Sequence, residues 1–163
     1  MSELRHRLMY RESERRLESA QTLRGAADDS DSAYLLELLA FELLLKLLVE
    51  KTTGATAPRH HFYWEIFCSL AQDAQDDVVR LAGERVGPSA LTSNVCSVLK
   101  DLGSNFIQLR YPFERYSQMT EMEYEKVGAE WLANGANDAD AHFRYYPEEL
   151  LGLTVALQTL LKP

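Results

Sequence analysis

The chain has 163 residues, long enough for one domain with a core of its own. Its apolar share of 46% excludes extended disorder, and its two cysteines exclude a disulfide framework. A net charge of −8 argues against broad, sequence-independent affinity for nucleic acid. That charge is uneven: residues 1–24 carry six Arg against four Glu, whereas Glu114 to Glu149 holds nine acids and three bases. A local basic site is therefore compatible with an acidic whole. Cys68 and Cys96 read as small core residues of a reducing compartment. The opening MSELRHRLMYRESERR is charged and helical, with no apolar leader pattern, so a cytoplasmic location is expected.

Helical periodicity dominates in chain order. Residues 3–26 form an amphipathic helix with Leu4, Leu8, Tyr10, Leu17, Ala20 and Leu23 as expected buried positions. Asp28–Ser32 is a turn rich in capping residues. The next helix begins at Ser30, Asp31 or Ser32 and ends near Thr52–Gly54, with Gly54 as the stop. Within it, SAYLLELLAFELLLKLLV (Ser32–Val49) has fourteen apolar or aromatic residues in eighteen. At ~100° per residue, Leu38, Leu45 and Val49 share the Glu42 side, while Ala40, Leu44 and Leu47 cover the other. A helix apolar all round is central and buried. Its three ionisable groups make a soluble core helix, not a membrane span, the expected reading. Glu42 and Lys46 are then a charged i,i+4 pair inside a core, and buried charges require partners.

A loop with Pro58 leads to a third helical segment starting near His61. Gln72–Asp77 leads into or continues a helix through Leu81, and Gly87–Pro88 breaks it. Ser89 or Ser93 caps a fourth long helix carrying Leu91, Val95, Val98, Leu99, Leu102, Phe106 and Leu109 on its apolar side. Pro112 marks its end or a kink. Met119–Trp131 is expected to be helical, Asn134–Asp140 to turn, and Phe143–Tyr146 to be a short extended piece. Pro147-Glu148-Glu149 starts the last helix, 147–161. The expected fold is all-α: one domain over 1–163, an up-down bundle of four to five main helices.

Arg110 ends a strongly apolar helical run among Tyr111, Phe113 and Tyr116, with Glu114 four residues on. If the second and fourth helices pack, Arg110 is the expected partner of Glu42, and Glu114 of Lys46. Such a cluster either locks helix register or forms a polar pocket for an anionic or polar ligand. His60 and His61 precede an aromatic helix start, where capping or packing is the ordinary role. The histidines and cysteines fit no zinc-finger spacing, so no metal is expected. No Gly-rich phosphate loop or known hydrolase motif is present, and no cofactor is expected.

Three pieces in this order resemble the HEPN superfamily of helical bundles. AFELLLKLL (Ala40–Leu48) is similar to its A-x-E-x-x-x-K helix. His61 followed by Ile66 and Phe67 resembles an H-D-L-x-x-L-F helix start, with Phe62 where Asp is usual. FIQLRYPFE (Phe106–Glu114) resembles an F-v-e-w-R-Y-x-y-E segment. The likeness covers about residues 8–116, leaving 117–163 as an extension. It implies a HEPN-like bundle that homodimerises through its polar face, and a binding or interaction protein of prokaryotic type within a defence or toxin–antitoxin module. A nucleotidyltransferase or antitoxin partner, and RNA or a nucleotide as ligand, are implied with it. The implied ligand-binding set is Glu42, Lys46, His61, Arg110, Tyr111 and Glu114. Many HEPN proteins are metal-independent endoribonucleases that use an Arg followed after four to six residues by a His. Arg110 matches the Arg, but Tyr111–Ser117 contains no histidine. Catalysis would need a non-standard base, Glu114 or His61, beside Arg110. A purely structural interaction domain is the third reading.

Overall fold

The computed structural model describes residues 3–28, 30–137 and 140–162. Eight helices are present among them and no strand: α1 Glu3–Gly25, α2 Ser32–Thr53, α3 Tyr63–Cys68, α4 Gln72–Val86, α5 Ala90–Gln108, α6 Pro112–Tyr116, α7 Glu121–Ala133 and α8 Pro147–Leu161. The chain is an all-α bundle.

Helix α2 is the axis. It packs against α1, α3, α5 and α8, and α8 also packs on α4. Leu38, Ala40, Leu44, Leu45 and Leu47 are at most 1% exposed, so apolar side chains on every side of α2 meet a neighbour. Two ion pairs set α1 antiparallel to α2: Arg5 with Glu50 near one end, Arg24 with Glu37 near the other. Two longer links set α8 parallel to α2. The Tyr34 hydroxyl donates to the Tyr145 carbonyl just before α8, and Lys51 lies 3.5 Å from the Leu161 carbonyl at its end.

The ends follow local chemistry. Gly54 adopts φ 71° and returns its N–H to the Glu50 carbonyl. Ser89 accepts from the Leu91 N–H, the earlier of the two expected caps. The backbone of α5 leaves helical geometry at Asn94 and the helix ends at Gln108, before Pro112, which opens the short α6 at its first turn. Residues 143–146 are a non-helical link, and Pro147 opens α8. The turn expected over Asn134–Asp140 is described only in part, because positions 138 and 139 lie outside the described residues.

Two expectations are corrected. Leu4 and Leu8 are 52% and 42% exposed, and the buried residues of α1 are Ser13 and Ala20. The α1 stripe facing α2 is narrower than its leucines suggest. Cys68 is exposed and Cys96 half-buried, so neither is a core residue. Helix α7 forms where a helix was expected, but it buries no residue. Among the described residues, no helix is long and apolar enough to cross a membrane.

Candidate functional site

Glu42 projects from the middle of α2 and is 4% exposed. One turn on, Lys46 Nζ lies 2.7 Å from Glu42 Oε1. The geometry is the one an i,i+4 acid–base pair adopts on a helix, here largely shielded from water. The second partner comes from the loop before α3: His61 Nδ1 is 2.8 Å from Oε2 and 3.0 Å from Oε1 of Glu42. A carboxylate only accepts, so Nδ1 carries the hydrogen and Nε2 holds the lone pair in the neutral ring. The His61 side chain is 37% exposed. Its ring is thus anchored inside by one nitrogen and open to solvent on part of its surface.

Packing explains how the loop delivers His61 to Glu42. Gly103 of α5 lies directly against the start of α3. A Cβ there would stand 2.9 Å from the His61 carbonyl oxygen and 3.2 Å from the Tyr63 nitrogen. The bare backbone lets α3 close on α5. Tyr63, fully buried, then drives its hydroxyl into the core to donate to the Leu38 carbonyl at 3.1 Å. Burial pushes its phenol well up; the Glu42 charge adds to that and Arg110 opposes it. The His61 ring packs 5.1 Å from the ring of Phe106, and the Arg110 guanidinium sits 4.8 Å from the same ring. Phe106 therefore bridges the histidine and the arginine.

The expected pairing of Arg110 with Glu42 is not formed. Helix α5 unwinds after Gln108, so Arg110 leaves the helical register that would have aimed it inward. Lys46 and His61 take up the Glu42 oxygens instead. Arg110 is exposed and makes no ion pair among the described residues. Glu114 does not meet Lys46; it is exposed on α6, which packs on α5 and touches α7 through Tyr116 and Tyr124. Tyr111 is 59% exposed and packs edge-on to Phe113. Of the six expected residues, the fold joins Glu42, Lys46 and His61 by direct contact, places Arg110 at their edge, and leaves Tyr111 and Glu114 outside.

Two buried polar clusters escaped the sequence reading. Glu50, 1% exposed, receives Nε and Nη2 of Arg5 at 3.0 Å each and the Ala57 N–H at 3.2 Å, while His6 Nε2 lies 3.4 Å away without a hydrogen bond. Its position one residue beyond the apolar run disguised it as a solvated helix end. Asn105, 4% exposed, donates to the Tyr34 hydroxyl at 3.2 Å and to the Arg144 carbonyl at 2.7 Å. No local pattern marks that partner, 39 residues away. Among the described residues no group of three or more His, Cys, Asp or Glu is placed to hold a metal.

Comparison with family models, with curated proteins and with solved structures found no match for the chain.

Proposed function

We propose that the chain binds phosphate groups of RNA or a nucleotide at the surface between His61 and Arg110, as an interaction module of HEPN-like type. One observation carries the reading. Glu42 holds His61 by Nδ1 while Arg110, free of any ion pair among the described residues, lies across the Phe106 ring from it. Glu42 and Lys46 offset each other internally, so the cations that face a ligand are Arg110 and, when protonated, His61. An unpaired guanidinium is suited to a phosphate because its planar donors match phosphate oxygens. The HEPN resemblance of Ala40–Leu48 and Phe106–Glu114 supports the same reading. It extends to homodimerisation, to a nucleotidyltransferase or antitoxin partner, and to a place in defence.

A second reading has its own support. A histidine oriented by a carboxylate is the arrangement of a general base, and it stands where the Arg110 segment lacks its own histidine. His61 Nε2 would take the proton of a ribose 2′-hydroxyl. Arg110 would stabilise the charge that develops on the non-bridging phosphate oxygens as the 2′-oxygen attacks; a 2′,3′-cyclic phosphate forms and the 5′-oxygen leaves with a proton taken from water. Glu114, exposed on α6 with no carboxylate-oriented ring of its own, is the weaker candidate for the base.

The test pairs binding with cleavage, using labelled single-stranded RNA in chelator. Arg110→Ala should weaken RNA binding about tenfold, the loss of one charged contact. His61→Gln should abolish any cleavage while retaining most of the binding. Equal RNA binding by the wild type and folded Arg110→Ala would sink the assignment. Binding without cleavage leaves the module reading alone.

A further inference from the structure

A large concavity lies far from Glu42 in the chain. It is a groove of about 1070 Å3 between α7 and the link that precedes α8. Such a volume holds a ligand of ordinary small-molecule size. Its walls are aromatic: Tyr116, Trp131, Phe143, Tyr145 and Tyr146 line it. Three carboxylates, Glu130, Asp140 and Glu149, share the wall with Arg144 and with His142, which stacks on Tyr116. That arginine faces Asp101 at 3.7 Å, outside the groove lining. Glu149 is partly engaged by the Ala90 N–H at 3.3 Å. Ring faces attract cations through their quadrupole, and nearby carboxylates add to that attraction. The protein already uses one of these rings this way: the Arg115 guanidinium sits 5.1 Å from the centroid of Phe143.

We propose that this groove is a binding site for a small organic cation, an alkylammonium or guanidinium compound. Its charged groups lie against Glu130 and Asp140, and its carbon chain lies along Trp131 and the tyrosines. The site is independent of the Glu42–His61 cluster, and its test does not depend on RNA.

Isothermal titration of the full chain with spermidine and agmatine tests it. The neutral probe 1,6-hexanediol and the anionic probe glutarate are the comparisons. Saturable binding of either cation, without binding of the other two probes, is expected. The double variant Glu130→Gln/Asp140→Asn should raise Kd at least tenfold. Both residues are exposed, so the bundle stays folded, as circular dichroism would verify. Glu125→Gln, an exposed acid outside the groove lining, should leave Kd unchanged. Three results would overturn the assignment: no saturable binding, equal weakening by Glu125→Gln, or undiminished binding in the double variant. Capture of a Lys/Arg-rich peptide with no affinity for spermidine or agmatine would also overturn it, replacing the small ligand by a protein partner.

Discussion

Glu42 carries the most consequence of any single residue, because its two oxygens serve both a lysine on its own helix and a histidine from a distant loop. Glu42→Gln keeps the shape but leaves Lys46, whose side chain is 13% exposed, without a counter-charge. The expected loss is about 2–3 kcal/mol in urea unfolding, the penalty for a buried charge stripped of its partner. Nitrogen-detected NMR of the neutral wild type should find the His61 hydrogen on Nδ1. A hydrogen on Nε2 instead would remove the carboxylate-oriented base from the second functional reading.

At the scale of elements, the approach of α3 to α5 sets the site. Gly103→Ala pushes a methyl group into the His61 carbonyl and the Tyr63 amide, both backbone atoms that cannot step aside. Overpacking of this kind costs about 1–3 kcal/mol. It should also separate His61 from Glu42, so His61 chemical shifts should move more than those in α1. Unchanged His61 shifts would show that α3 is placed by something other than this contact. Helix α7 is the opposite case. Its Thr120 and Glu123 form a capping box, with the Thr120 N–H 2.7 Å from Glu123 Oε2 and the Glu123 N–H 3.3 Å from Thr120 Oγ1. Yet no residue of α7 is buried. A helix held by its cap and not by a core opens locally, so its amides should exchange with deuterium orders of magnitude faster than those of α2. Equal protection would mean that α7 is covered, by a second copy or by another partner.

For the whole molecule, Glu50 ties α1 to α2 and to the loop at Ala57. The hydrogen bonds from Arg5 are the main reason its carboxyl is held below the ordinary 4.5, against the upward push of burial. A carboxyl depressed in the folded state adds stability that is complete above its unfolded value and is lost as pH falls through the native one. Glu50→Gln should therefore be about 1–2 kcal/mol less stable near pH 7. The gap to wild type should close as pH drops below 4.5. Urea midpoints measured at several pH values check this, and a constant gap would refute it. Tyr145, pushed up to about 12 by burial and by the Asp31 carboxylate, stays protonated throughout that range and keeps its hydrogen bond to Asp31.

Local chemistry made most of the helices legible in the sequence. Gly54, Ser89 and Pro147 act on their nearest backbone atoms, and their effect survives any tertiary arrangement. The all-round apolar pattern of α2 likewise required a central place, and with it a partnered Glu42. The identity of the partner was a different matter. Arg110 and His61 were both within reach of a plausible packing. The choice depended on where α5 stops winding and on the absence of a side chain at Gly103, which only the assembled bundle decides. Glu50, Asn105 and the groove beside α7 belong to that second kind. Each joins groups remote in the chain, and neither periodicity nor capping records which distant surfaces will meet.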